Sequence, residues 1–273
     1  MKTFALALGS GGARGLAHIV VLEALDAMGV KPTAIAGASI GALIGAAYAA
    51  GMSGRDIRHY VMHLAHTPGE IRRRLVRARA GTLAHLLSGA FGQATQLDAE
   101  KFCAEFLPEP LPAEFSALKI PFAAIATDLH RRRQAVLETG PLPGALAASI
   151  AIPGLFRPVV VDGRVLIDGG TTNPLPYDVL RGRADVLLAV DVFGVPAAER
   201  VDTPGTWEAI YTTILIMGGA ILAAKLKHSA PDILIRPQVT VFRTLDFYQP
   251  SSILRAAEPV KAEVTEKLGK LLV

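Results

Sequence analysis

One serine near the start of the chain has neighbours so small that they point to a chemical role. Residues 34–43 read AIAGASIGAL, and Ser39 lies between Gly37 and Gly41 in a G-x-S-x-G spacing. This spacing is typical of a serine nucleophile held on a sharp turn between a strand and a helix. A glycine-rich helix start with an ordinary N-cap serine gives the same pattern. The spacing alone therefore leaves both interpretations open.

A glycine-rich loop at residues 9–15 follows the first apolar run. The loop reads GSGGARG, and its glycines are Gly9, Gly11, Gly12 and Gly15. The sequence has neither the acidic residue that a dinucleotide-binding loop needs after the second strand nor the Gly-Lys-Ser/Thr of a P-loop. The remaining chemistry is an oxyanion hole, in which backbone N–H groups face a developing alkoxide. Only this chemistry gives Ser39 a partner, because the ends of adjacent parallel strands lie side by side.

A candidate base for the serine lies on another tight turn. The segment VLIDGG ends a predicted strand with Asp168, followed at once by Gly169 and Gly170. A β-turn that merely contains Asp-Gly would look the same. The chain order Ser39, Asp168, His228 would also suit a Ser-Asp-His hydrolase. However, His228 lies in the charged helix end KLKHSAPD, which no strand-end loop presents.

The elements that must position these residues alternate between strand and helix. Apolar runs predict strands at 3–9, 33–38, 120–129, 133–140, 164–170 and 184–193. Periodic runs predict helices at 13–29, 39–51, 53–66 and 98–107. Such alternation is typical of a mostly parallel sheet between helix layers, so we expect a three-layer α/β/α fold. We expect one domain over residues 1–273, with the arginine-rich and then glycine- and alanine-rich segment 68–95 as a cap-like insertion.

Composition sets the broad class of the protein. With 273 residues and 51% hydrophobic residues, the chain can fill a sizeable core. The single cysteine, Cys103, excludes an intramolecular disulfide framework, which fits a reducing compartment. The apolar stretch Phe4–Leu8 is too short for the core of a signal peptide. We therefore expect a cytoplasmic location, with peripheral contact to a membrane as an open alternative.

The charge of the chain is concentrated in two short segments. The formal net charge is +4, and the arginines cluster in IRRRLVRAR at 71–79 and in HRRR at 130–133. Such clusters bind nucleic acid or anionic headgroups, although more often they form solvated faces. No nucleic-acid-binding module accompanies them, so we expect no nucleic-acid partner. Peripheral contact with an anionic membrane and a homo-oligomer both stay open.

Two further features allow more than one interpretation. The apolar run at 209–224 is shorter than the roughly 20 residues that span a bilayer. It predicts either a core or dimer helix, or a lid that contacts a membrane. Asp56, His59, His63 and His66 share one helix stripe that zinc could use. Because no H-E-x-x-H is present, we expect an exposed titratable face there, and neither a metal nor a cofactor.

Taken in order along the chain, these motifs resemble those of the bacterial patatin-like phospholipase family. The matching segments are the glycine loop at 9–15 with Arg14, the elbow at 37–41, Asp168-Gly169-Gly170, ATDL at 126–129, SIAIPGLFRPV at 149–159 and NPLP at 173–176. The sequence departs from the family at Arg157 and at the HRRR turn. Neither departure touches Ser39 or Asp168, but both leave substrate preference open.

The resemblance implies a role for each motif residue. Members of this family are serine lipid acyl hydrolases with a Ser-Asp dyad, so Ser39 would be the nucleophile and Asp168 its direct base. The N–H groups of Gly11, Gly12 and Ile40 would hold the oxyanion. Arg14 would bind a substrate phosphate or pin the loop to a carboxylate. The remaining glycines would permit the tight turns of the motifs; they are Gly9, Gly15, Gly37, Gly41, Gly169 and Gly170.

The function implied is a serine carboxyl-ester hydrolase with an acyl-enzyme intermediate and no cofactor. Its substrates would be phospholipids, lysophospholipids or other acyl-lipid esters. A catalytically weak lipid-binding or regulatory protein with the same fold is one alternative. A Ser-Asp-His esterase is another.

Overall fold

A mixed sheet of eight strands forms the centre of the part that the structure describes. The computed structural model describes residues 2–79, 96–109, 111–194, 203, 205–244 and 246–272. The strands are β1 (Phe4–Leu8), β2 (Ala34–Ala38), β3 (Phe122–Asp128), β4 (Arg133–Leu137), β5 (Val159–Val161), β6 (Arg164–Asp168), β7 (Val186–Val190) and β8 (Ile233–Ile235). Their order is β5-β6-β3-β2-β1-β7-β8, and β4 pairs with β3 outside this path.

The centre of the sheet is parallel and one side of it is antiparallel. Strand β1 pairs in parallel with β2 and β7, and these pair in parallel with β3 and β8. The β3–β4, β3–β6 and β5–β6 pairs are antiparallel. The predicted, mostly parallel α/β sheet is therefore confirmed. Strands β5 and β8 were not predicted, because three residues are too few to show a periodic pattern.

Helices lie on both faces of the sheet, as the three-layer prediction requires. They are α1 (Ala17–Ala27), α2 (Ile40–Ala49), α3 (Gly54–Ala65), α4 (Pro68–Arg77), α5 (Ala99–Phe106), α6 (Leu142–Ser149), α7 (Thr206–His228), α8 (Pro250–Ala257) and α9 (Val260–Leu272). Alternation along β1 separates the two faces. Leu6 and Leu8 join the large cluster that holds α1, α2, α6, α8 and α9. Ala5 and Ala7 face a smaller cluster with Tyr177 and with Leu222 of α7.

Helices α6, α8 and α9 were not predicted, and two predicted segments differ in form from the expectation. The helix predicted at 13–29 begins as a 3-10 turn, Gly12–Leu16, and becomes α-helical at Ala17. The arginine-rich start of the predicted cap-like insertion forms helix α4, where the Arg74 guanidinium lies 5.9 Å from the Phe106 ring of α5. Residues 80–95, the rest of that predicted insertion, lie outside the described residues.

Strands β2 and β6 run toward each other along one side of β3. Ala38, the last residue of β2, pairs with Ile125, and Asp168, the last residue of β6, pairs with the next residue, Ala126. Strand β4 occupies the other side of β3 from residue 124 to 128, so β2 and β6 must share the free side. The residue that follows β2 is Ser39. The register therefore brings Ser39 to the carboxyl end of β6.

Candidate active site

Ser39 sits on a strained turn between β2 and α2. Its backbone has φ 54° and ψ −123°, a conformation that non-glycine residues rarely adopt and that is often found at functional sites. Its side chain makes no capping hydrogen bond to α2, which argues against an ordinary N-cap. A Cβ at Gly37 would lie 2.4 Å from the Gly41 oxygen, and one at Gly41 would lie 2.3 Å from the Leu8 oxygen. The small neighbours are therefore required by the close approach of backbone segments.

A second serine holds this turn in place. The buried Ser149, the last residue of α6, accepts a hydrogen bond at 3.0 Å from the Ser39 amide. The same Ser149 hydroxyl donates to the Ile125 oxygen at 2.6 Å. Ser149 thus joins the elbow to β3 through one side chain. In the sequence, Ser149 is the first residue of the matching segment at 149–159, and nothing local indicates a role for it.

The carboxylate of Asp168 is buried and only half satisfied. Its Oδ1 accepts the Gly170 amide at 2.7 Å, and its Oδ2 has no hydrogen-bond partner among the described residues. Burial raises the pKa of Asp168 to about 6, while the Ser39 hydroxyl and the Gly170 amide act in the opposite direction. A Cβ at Gly169 would lie 2.1 Å from the Ile125 oxygen. Glycine at 169 therefore allows the tight turn that carries Asp168.

Ser39 and Asp168 line one small cavity. Its lining residues are Ser10, Ser39, Ile152, Pro153, Asp168, Gly170, Phe193, Tyr211, Ile214 and Leu215. The cavity measures about 20 Å³, which is room for a single water molecule. No histidine is among these residues, and His228 lies at the far end of α7 from Tyr211. Within the described ranges, no group of three or more His, Cys, Asp or Glu side chains could hold a metal ion.

The glycine loop at 9–15 lies beside this cavity. The amides of Gly9, Ser10 and Ala13 donate to the oxygens of Val190, Pro174 and Thr244. Among the described residues, the amides of Gly11 and Gly12 have no backbone acceptor. The loop also touches the first residue of α2, since a Cβ at Gly15 would lie 2.2 Å from Ile40 Cγ2. The three N–H groups assigned to the oxyanion hole therefore belong to adjoining segments.

The contacts of Arg14 favour a structural role over the substrate-binding role expected for it. The guanidinium is buried and donates to the oxygens of Phe242 at 2.7 Å, Phe193 at 2.9 Å and Thr240 at 3.1 Å. These acceptors belong to two loops that follow β7 and β8. Because its donors are used by main-chain carbonyls, Arg14 ties the glycine loop to its surroundings. In the part of the chain that the structure describes, Arg14 pairs with no carboxylate, which was one expected partner, and it is not among the residues that line the cavity.

Two further residues were not found from the sequence. His18 of α1 donates from Nε2 to the Gly9 oxygen at 2.8 Å, and burial lowers its pKa to about 4, so it is neutral near pH 7. Tyr211 of α7 lies beside Asp168 and Thr244. Burial and the charge of Asp168 raise the pKa of Tyr211 to about 12. Single buried side chains of this kind carry no local signal, because their roles depend on distant segments.

Comparison with known proteins agrees with this geometry. The "Patatin-like phospholipase" family model matches residues 6–181. An uncharacterized NTE family protein of Mycobacterium bovis is 40% identical over 199 residues, covering 72% of this chain and 51% of the relative. Patatin-like phospholipase domain-containing protein 6 of Mus musculus is 27% identical, covering 90% of this chain and 19% of the relative. The chain thus spans about half, or less, of the length of these relatives.

A solved structure supports the fold. VipD from Legionella pneumophila superposes with a TM-score of 0.51 at 14% sequence identity, covering 97% of this chain and 66% of that one. At that identity the likeness bears on the fold alone. The family model, by contrast, covers the glycine loop, the serine elbow and the Asp-Gly-Gly turn in one continuous match. The chain therefore belongs to the patatin-like phospholipase family.

Proposed function

We propose that the protein is a serine carboxyl-ester hydrolase that cleaves acyl-lipid esters with a Ser39–Asp168 dyad. Membership of the family supports lipid hydrolase activity in general. The observation that carries the specific proposal is the meeting of a strained serine with a buried carboxylate whose Oδ2 has no partner among the described residues. An unpaired carboxylate oxygen in a cavity is costly for stability, and catalysis offers a reason to keep it.

The first half of the reaction forms an acyl-enzyme. Ser39 Oγ attacks the ester carbonyl carbon while Asp168 Oδ2 takes the hydroxyl proton. The carbonyl oxygen becomes an alkoxide, which the amides of Gly11, Gly12 and Ile40 stabilise. As this intermediate collapses, the bond to the alcohol breaks and Asp168 gives its proton to the leaving oxygen. The acyl group stays on Ser39 as an ester.

The second half releases the fatty acid. Asp168 takes a proton from a water molecule, whose oxygen attacks the acyl carbonyl carbon. Collapse of this second intermediate breaks the ester bond, and the proton on Asp168 returns to Ser39 Oγ. A pKa of about 6 suits both directions of transfer, because the carboxylate is ionised near pH 7 yet binds a proton more readily than an ordinary aspartate.

The proposal is tested by labelling and kinetics on four variants. Ser39→Ala should lose reaction with a fluorophosphonate probe. Ser39→Ala and Asp168→Asn should each lose at least about 1000-fold in ester hydrolysis, and the double variant little more, because the two residues act as one unit. His228→Ala should stay close to the wild type. Substrates should include fluorogenic esters, lysophospholipids and phospholipids, with thermal unfolding to check folding.

Two outcomes would contradict this proposal. A His228→Ala enzyme as inactive as Asp168→Asn would support the Ser-Asp-His esterase, in which Asp168 would orient the histidine. A folded wild type that neither reacts with the probe nor cleaves any ester would support a lipid-binding or regulatory protein with this fold.

A further inference from the structure

Helix α7 closes the cavity above Ser39 and Asp168. Three of its residues, Tyr211, Ile214 and Leu215, form one wall of that cavity. The enclosed volume of about 20 Å³ holds a water molecule, whereas a lipid acyl chain needs many times that space. An acyl ester therefore does not fit beside Ser39 in this arrangement, and α7 supplies three of the residues that enclose the space.

The outward side of α7 is apolar and largely uncovered. Residues 209–224 contain no charged side chain. Ile216 is 67% exposed and Met217 is 60% exposed, and Ile210 and Ile221 are exposed as well. Ala209–His228 is long and apolar enough to cross a membrane, although the core helices of soluble proteins often are as well. Only 11% of its apolar stretch is buried. This exposure favours the lid or the dimer helix over the core helix among the expectations for this segment.

The two halves of α7 are held to the domain unequally. Near its C-terminal end, Lys225 donates to Asn173 Oδ1 and to the Leu175 oxygen, both at 2.7 Å. Leu222 is buried in the smaller core cluster, and Gly218 packs closely on the Phe193 ring. The N-terminal half carries the residues that close the cavity. Its displacement would open the site, and the contacts of the C-terminal half oppose that displacement.

A loop beside the N-terminal half adds to this exposed surface. The Tyr211 hydroxyl lies beside the Thr244 side chain. Val241 and Tyr248, on either side of Thr244 in the chain, are among the most exposed large apolar residues, and Arg243 is exposed between them. Apolar and aromatic side chains with an accompanying cation are typical of surfaces that enter the headgroup region of a bilayer.

We propose that the outward side of α7 docks on a phospholipid surface and that docking draws its N-terminal half away from the cavity. The proposal rests on the proposed function. A phospholipid surface fits an uncharged apolar helix, and it also supplies the acyl-lipid substrate. The arginines of α4 fit this role less well. Arg74 pairs with Glu70, and Arg77 pairs with Glu105. Arg72 and Arg73 are therefore the exposed cations of α4 that have no ion pair in the described part of the chain.

Docking is tested by sedimentation with vesicles. All proteins carry Ser39→Ala, so that binding is measured without hydrolysis of the vesicle lipids. The vesicles contain phosphatidylcholine with or without phosphatidylglycerol. Ile216→Glu/Met217→Glu should weaken binding at least about tenfold, because carboxylates oppose insertion of the helix. The matched control Val160→Glu changes a residue of β5 that is 65% exposed and should bind like its parent. Arg72→Gln/Arg73→Gln should keep most of the binding.

Opening is tested separately through the rate at which a fluorophosphonate labels Ser39. Vesicles should speed the labelling of the wild type about fivefold or more, and should not speed that of Ile216→Glu/Met217→Glu. Undiminished vesicle binding by the glutamate variant, loss of binding in the arginine variant, or binding without faster labelling would each overturn the proposal. Docking and faster labelling without hydrolysis of any ester would contradict the proposed function and leave this proposal standing.

Discussion

The Gly170 amide donates to Asp168 Oδ1 across 2.7 Å, while Oδ2 of the same carboxylate has no partner in the described part of the chain. The main chain thus fixes the orientation of the carboxylate through one oxygen, and the other is the oxygen that the proposed dyad would use. Burial favours the protonated form, so the pKa of Asp168 rises to about 6. Two consequences can be measured, one in the kinetics and one in the stability.

We expect kcat/KM to rise with pH through about 6 and then to level off. Asp168 must be ionised to accept the Ser39 proton, and its pKa of about 6 sets the inflection. The measurement is hydrolysis of an ester without titratable groups between about pH 4 and pH 9. An inflection near 3.8, the ordinary value for aspartate, would show that the carboxylate is solvated in the active enzyme.

We expect Asp168→Asn to be inactive but more stable than the wild type at pH 8. The pKa of Asp168 is higher in the folded than in the unfolded state, so its contribution to stability is full below about pH 4 and is lost as pH rises through about 6. Ionisation of the buried carboxyl then lowers the free energy of unfolding by about 3 kcal/mol. Urea unfolding should show a gain of about 1–3 kcal/mol at pH 8 that shrinks toward pH 4.

Asp128 on β3 provides a control, because its pKa is shifted in the opposite direction from that of Asp168. Interactions with Arg131 hold the pKa of Asp128 below its usual range, although burial opposes them. Its contribution to stability is therefore present near pH 8 and is lost as pH falls through its folded pKa. Asp128→Asn should lower the free energy of unfolding at pH 8. If both asparagine variants were destabilised at pH 8, Asp168 would not be a strained carboxylate.

The main strands and the serine elbow could be predicted because their signals are local. Strand β1 is a continuous apolar run, as expected of a strand buried on both faces. Positions 37 and 41 require glycine because any Cβ there would clash with main-chain oxygens. The meeting of Ser39 with Asp168 followed only from the family resemblance, since periodicity does not show that β2 and β6 share one side of β3.

The parts that could not be predicted depend on contacts between distant segments. Ser149 lies 110 residues from the Ser39 amide that it accepts, and Arg14 lies 226 and 228 residues from Thr240 and Phe242. Arginine in a glycine loop indicates anion binding as readily as a structural tie. Only the positions of the carbonyl oxygens decide between the two.

We expect Ser149→Ala to impair both stability and turnover. The Ser39 amide would lose its acceptor inside the protein, which costs about 1–3 kcal/mol. The elbow would then hold Ser39 less firmly, so kcat should fall about tenfold or more while KM changes little. Ser149→Thr keeps the hydroxyl and should recover part of kcat. Unchanged turnover in a folded Ser149→Ala enzyme would show that the elbow keeps its shape without this bond.

We expect Arg14→Met to destabilise the protein without changing its substrate preference. Removal of the guanidinium leaves the oxygens of Phe193, Thr240 and Phe242 without their donor, at a cost of about 2–4 kcal/mol in unfolding free energy. The ratio of KM values for a phospholipid and an uncharged ester should stay the same. A rise in KM for the phospholipid alone would restore the phosphate-binding role.

We expect Lys225→Met to loosen α7 and expose Ser39 in the absence of lipid. Lys225 ties the C-terminal half of the helix to Asn173, Leu175 and Asp178, the segment that follows the Asp168 turn. Without this tie, Ser39 should react with a fluorophosphonate about three times faster or more, because each lost hydrogen bond to a charged group weakens the closed state. Vesicles should then add less to that rate. Lys227→Met removes an exposed cation of the same helix and should leave the labelling rate unchanged. Equal rates for all three proteins would show that Lys225 does not hold the helix over the cavity.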